Sequence, residues 1–185
     1  ANTEVFKRFK TGQIMRMQHY YYHMNGMRLT SNEHLSLKDI NFYSCAGHAI
    51  VIGGKQKYWS LENVNIKRPD YAPERVITCT GDHMHISQSS GFLKMKNCEF
   101  SLGADDCINM HDNTGFARKA SENSIRTQNA RVVNTYVVGD PIELRQGDYS
   151  PSGFCEPIAK ISVIDKDKGE FEIFFDKPVP DQTLE

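Results

Sequence analysis

The sequence predicts an all-β chain: right-handed parallel β-helix coils followed by a small antiparallel β-barrel or sheet insertion. Three observations lead there. First, "LSLKDINF" from Leu35, "WSLENVNI" from Trp59 and "LKMKNCEF" from Leu93 align as apolar-x-apolar-x-(Asp/Asn)-apolar-x-apolar. Second, a further short strand follows each: "HAIVI" from His48, "DHMHI" from Asp82 and "DCINM" from Asp106. The offset from Leu35 to His48 equals that from Leu93 to Asp106, and the Pro-rich "KRPDYAPER" (67–75) lengthens the middle repeat. Third, turn residues separate these short β-rich runs, and helical periodicity is confined to short patches at 2–10 and 116–124.

Each element follows from that repeat. A single coil cannot bury its own apolar face, so coils must stack. Stacking places like residues in columns: Ile40 over Val64 over Cys98, Phe42 over Ile66 over Phe100, and Ile50 over Met84 over Ile108. Asp39, Asn63 and Asn97 form a corner column, where Asn and Asp tolerate the left-handed backbone that a sharp bend needs. "GQIMRMQHYYYHMNGMRL" (12–29) fits one earlier coil. Beyond it, "ARVVNTYVVGDPIELRQG" (130–147), "PIAKISVID" (157–165) and "GEFEIFFDKPV" (169–179) read as longer antiparallel strands. "DKDKG" (165–169) has hairpin-turn composition. The division expected is coils over 1–129 and a barrel-like region over 130–185. A β-sandwich of look-alike hairpins is the alternative architecture.

Composition limits the function classes. Among 185 residues, 22 basic and 23 acidic side chains nearly cancel. That gives no electrostatic case for nucleic acid or a charged membrane surface. No apolar run is long enough to span a bilayer. The N-terminus carries neither a secretory signal nor an initiator Met, so the chain reads as a mature or excised piece of something longer. Cys45, Cys79, Cys98, Cys107 and Cys155 lack CxxC spacing. They read as small buried apolar residues rather than a zinc ribbon.

The chemistry concentrates at "GADDCINMHD" (103–112). The repeat places His48, Asp82 and Asp106 at one position of successive coils, about 4.7–4.9 Å apart, with Asp105 beside Asp106. Three crowded carboxyl groups favour one holding a proton as general acid while ionised neighbours act as bases. This is the equipment of glycoside hydrolysis. His83, His85, Asn109, His111 and Asp112 surround the trio. His83 and His85 flank Met84 at strand spacing, which predicts that both face the same way. They read as substrate contacts, with metal binding beside Asp82 the lesser alternative. His48 reads as structural or as the edge of the site. "HYYYH" (19–23) offers either a stacking platform for sugar or core packing.

These stretches, with the Asp82-His83-x-His85 strand and the Asp105-Asp106-x-x-Asn109-x-His111 strand, resemble glycoside hydrolase family 110. "VVGDPIEL" (137–144) adds to the likeness, which covers roughly 12–182. The family comprises α-1,3-galactosidases of gut and marine bacteria. The resemblance implies a right-handed parallel β-helix and a secreted, periplasmic or cell-surface inverting exo-α-1,3-galactosidase. That enzyme would release terminal α-galactose from a glycan without metal or cofactor. It maps the catalytic aspartates onto Asp82, Asp105 and Asp106, and likeness to the related polygalacturonase fold makes Asp105 the acid and the other two the base pair. Arg16 and His19 would hold the terminal galactose, and Arg118 and Arg145 are weaker binding candidates. Ala104 and Asp112 depart from the pattern, which elsewhere has Gly-Asp-Asp and a Gly after the histidine. The likeness spans only part of a family member, so further coils are expected to complete the sugar pocket. A β-helix polysaccharide lyase and a non-catalytic glycan-binding β-helix are the competing readings. The lyase would hold Ca²⁺ on the trio and needs an Arg or Lys base, which the Asp column lacks.

Overall fold

The computed structural model describes residues 4, 7–111, 114–128, 133 and 136–181. The chain is all-β and forms two compact units, Ala1–His111 and Asp112–Glu185. Among the described residues, no helix is long and apolar enough to cross a membrane.

The first unit holds β1 (Met27–Thr30), β2 (Ser36–Phe42), β3 (Ile50–Gly53), β4 (Lys57–Ile66), β5 (Met84–Ser87), β6 (Ser90–Lys96), β7 (Glu99–Phe100) and β8 (Ile108–His111). The strands sort into two sheets, β1-β3-β5-β8 and β2-β4-β6, with β7 also on β4. Among the described residues every pairing in this unit is parallel, which excludes a sandwich of hairpins. Successive strands pass from one sheet to the other and back. The expected columns appear as ladder partners: Ile40 with Val64, Phe42 with Ile66, Ile66 with Phe100, Ile50 with Met84 and Met84 with Ile108.

Burial explains the register. Leu29, Ile50, Ile52, Met84 and Ile86 from one sheet and Trp59, Leu61, Val64 and Ile66 from the other join one core. A slip of one residue would turn each apolar set to water. The corner column is equally regular. Asp39, Asn63 and Asn97 have φ of 55°, 53° and 53°. The Asn63 amide donates to Asp39 Oδ1 at 2.8 Å. Two residues on, Asn65 donates to Asn41 Oδ1 at 3.0 Å and accepts from the Glu99 amide at 3.0 Å. The bend thus carries its own ladder of side-chain hydrogen bonds.

The second unit is antiparallel. It holds β9 (Ala117–Ser121), β10 (Ser124–Thr127), β11 (Pro141–Arg145), β12 (Pro151–Pro157), β13 (Lys160–Asp165) and β14 (Glu170–Phe174). The sheet order is β13-β14-β10-β9, with β11-β12 as a separate ribbon. Among the described residues this is an open sheet rather than a closed barrel. Ile125, Phe154, Ile158, Phe171, Ile173, Phe175 and Val179 form its core. The 165–169 turn forms as expected: Asp165 Oδ1 accepts from the amides of Asp167 and Lys168, each at 3.0 Å.

Several expectations need correction. The helix-like patch at 116–124 is instead β9 and the start of β10, because pairing with β14 outweighs local propensity. Those strands share the second unit's sheet, so the units divide at His111/Asp112 and not at 129/130. Residues 137–140 form a turn: the Asp140 amide donates to Val137 O at 3.1 Å and the Val137 amide to Asp140 Oδ2 at 2.8 Å. The long strand expected from 130 therefore begins at Pro141, with 130–132 and 134–135 outside the described residues. Of 12–29, only Met27–Leu29 lies in a strand, and Lys7–Arg8 is a turn within the expected patch at 2–10, whose residues 2, 3, 5 and 6 are not described.

Asn63 separates strain from bonding. Asn63→Val is expected to lower the unfolding free energy by about 1–3 kcal/mol, because a β-branched residue resists positive φ. Asn63→Gly should lower it less, and urea unfolding of both variants measures the order.

Candidate functional site

The same register builds the site. His48, Asp82 and Asp106 each stand two residues before a strand of the first sheet, β3, β5 and β8 respectively. Backbone bonds tie their level together: Gly26 N to His48 O, Ala49 N to Asp82 O and His83 N to Asp106 O, each 3.0 Å. Carboxylate oxygens of Asp82, Asp105 and Asp106 all lie within 4.8 Å of one another. The three aspartates expected from the sequence are therefore together. Asp82 is 2% exposed, while Asp105 and Asp106 face solvent.

A buried carboxylate demands partners. Asp82 Oδ2 lies 2.7 Å from His85 Nδ1 and 3.3 Å from His48 Nδ1. The Asp82 backbone amide also donates to His48 Nδ1, at 3.0 Å. His85 Nε2 is 3.2 Å from His111 Nε2, so the imidazoles continue outward from the carboxylate. Asn109, half-buried on β8, pairs in register with His85.

Tyr22 closes the other side. Its hydroxyl donates to Asp105 Oδ2 at 2.9 Å, and its ring stacks on His48 at 4.7 Å between centroids. Gly81 makes this approach possible: a Cβ there would lie 2.9 Å from His48 Nδ1 and 3.0 Å from Tyr22 Cε1. The Asp105 bond pushes the Tyr22 hydroxyl above the ordinary tyrosine value, because the carboxylate stabilises the protonated phenol. Burial pushes His48 below the ordinary imidazole value, against the pull of Asp82.

The other expected residues divide. Arg16 donates to Gly103 O at 3.0 Å, and exposed His19 lies on the same segment, which Gln18 also ties down by donating to Thr80 O at 3.2 Å. His83 is a correction. It is 3% exposed, stacks on Phe100 at 5.9 Å between centroids, and has Nε2 3.1 Å from Ser101 O. It does not face with His85, because β5 starts only at Met84 and strand alternation does not reach back to it. A Cβ on Gly103 would lie 2.4 Å from the His83 ring, so its role is to fill the corner. Asp112 lies outside the described residues. Arg118 and Arg145 belong to the second unit, where they pair with Glu170 at 3.7 Å and Glu143 at 2.9 Å. The sequence offers the whole run 19–23 as a platform without distinguishing Tyr22, and it sets His48 at the margin of the site. Tyr22 sits in an irregular segment, where no periodicity marks it within the tyrosine run.

No protein-family model matches the chain, and no curated protein matches it.

Two titrations test this network. Asp105→Asn removes the accepting carboxylate, so Tyr22 should ionise at lower pH, read from phenolate absorbance. Asp82→Asn removes the charge that holds His48 up, so the His48 NMR midpoint should fall further. The linkage has a definite sign. The His48 contribution to stability is fully present above about pH 6.5, the unfolded value. It is lost as pH falls toward the lower folded value, because the unfolded chain binds the proton first. His48→Gln should flatten that part of the stability–pH curve.

Proposed function

We propose that this protein is a glycoside hydrolase that releases terminal α-galactose, of exo-α-1,3-galactosidase type, acting on glycans outside the cytoplasm. The observation that carries the reading is the meeting of three carboxyl groups within 4.8 Å, one buried and two exposed. That set supplies an acid to protonate the leaving oxygen and carboxylates to direct the incoming nucleophile. Following the likeness to the polygalacturonase fold, Asp105 is the general acid, and Asp82 and Asp106 form the base pair. Tyr22 orients Asp105, and His85 orients Asp82. Exposed Arg16, His19 and His111, with half-buried Asn109, are the sugar-contacting groups.

The fold belongs to the same proposal. Two parallel sheets with alternating strands are what coils of a β-helix produce, and parallel crossovers are right-handed in about 98% of cases. The stereochemistry rests on the resemblance alone. Inverting enzymes generally separate acid and base by about 6.5–9.5 Å, and the nearest oxygens here are closer than that.

Hydrolysis of an α-1,3-galactoside tests the reading. Asp82→Asn, Asp105→Asn and Asp106→Asn should each cut turnover by roughly 10²–10⁴-fold, and EDTA should not lower the wild-type rate. Proton NMR of the first product should show β-galactose for inversion; α-galactose would mean retention. Activity abolished by EDTA and restored by Ca²⁺ on a uronic acid polymer would replace the hydrolase with a lyase. Glycan binding unchanged in Asp106→Asn, with no sugar ever released, would leave a binding module.

A further inference from the structure

Beyond orienting Asp82, the imidazoles around it form a second constellation of ligand atoms. His48 Nδ1 and His85 Nδ1 lie 3.3 and 2.7 Å from Asp82 Oδ2, and one ligand atom from each of the three residues falls within 4.8 Å of the others. Two imidazoles and one carboxylate are the donor set of zinc and similar transition metals, not of calcium or magnesium.

The protons make the set unusual. The carboxylate only accepts, so the 2.7 Å contact places a proton on His85 Nδ1. His48 Nδ1 takes the Asp82 backbone amide at 3.0 Å, so its lone pair is turned inward. It then faces Asp82 Oδ2 at 3.3 Å with no proton between two acceptors. A cation at the convergence point would take the single Nδ1 lone pair of His48 in place of that amide and would sit between the two acceptors. Tetrahedral zinc with bonds of about 2.0–2.1 Å has ligand–ligand edges of about 3.3 Å, which is the His48–Asp82 spacing. The His85–Asp82 contact would have to open and the Asp82 amide would have to release His48 Nδ1.

The surroundings suit the exchange. When His85 binds through Nδ1, its proton moves to Nε2. His111 Nε2, 3.2 Å away, can accept that N–H as its Nδ1–H tautomer, so every imidazole stays neutral and no net proton is released. A histidine ligand whose other nitrogen donates to a neighbour is the usual outer-shell arrangement.

We propose that His48, Asp82 and His85 form a transition-metal site, filled best by Zn²⁺, with water completing the coordination. Resting on the hydrolase reading, occupation withdraws Asp82 from the carboxylate trio, so zinc inhibits the enzyme reversibly. Calorimetric titration of chelator-treated protein with ZnCl₂ tests the site. The wild type should bind one equivalent, His48→Gln and His85→Gln should bind it roughly tenfold more weakly or worse, and His34→Gln, on a ring stacked with Tyr58, should match the wild type. Circular dichroism confirms that the variants are folded, and ring-nitrogen NMR should show zinc moving the Nδ1 signals of His48 and His85. No binding by the wild type, or equal binding by all four proteins, overturns the site. Zinc binding without hydrolysis of any galactoside keeps the site and removes the hydrolase reading. Hydrolysis indifferent to zinc, with no binding, does the reverse.

Discussion

The in-register parallel pairing of β3, β5 and β8 is the constraint on which the rest of the first unit depends. Its cause is apolar: Ile50, Ile52, Met84 and Ile86 are removed from water only in this register. Strand side chains alternate with period two, so a slip by one residue would expose all four at once. The ladder through Asp39, Asn63, Asn41 and Asn65 adds a polar lock at the bend of the other sheet. The register that buries the core therefore also brings His48, Asp82 and Asp106 level.

At that level the chain accepts a cost. Asp82 is almost fully buried, and a lone carboxylate there would be strongly destabilising. His85 offsets that cost by donating to it, and glycine at 81 leaves room for the His48 imidazole and the Tyr22 ring to approach. Asp105 and Asp106 remain in solvent, where crowding is tolerable. Asp82 and Asp106 therefore occupy different environments although the repeat makes them look equivalent. Asp82 is shared between an acid–base trio and an imidazole cluster, which couples any chemistry of one to the state of the other.

The second unit shows how far local preference can be overruled. Residues 116–124 carry lysine, arginine, alanine and glutamate, which favour helix. Pairing of β10 with β14 and of β9 with β10 makes them strands, and Lys119 reaches the carbonyl of Val179 and the carboxylate of Asp181. Those partners lie far along the chain, so no local window contains the information. The 165–169 turn is the opposite case. Its bonds run from Asp165 to amides two and three residues away, and composition alone revealed it.

The same distinction separates what could be read along the chain from what could not. The sequence by itself determined the repeat, the ladder partners, the left-handed corner and the meeting of Asp82, Asp105 and Asp106. Apolar alternation and corner asparagines are written at fixed intervals, and stacking converts interval into proximity. Only the tertiary structure decided that His83 turns to Phe100 while His85 turns to Asp82, that Tyr22 rather than its neighbours reaches Asp105, and that His48 joins the cluster. These contacts arise where the chain leaves regular strands, and there spacing no longer specifies direction.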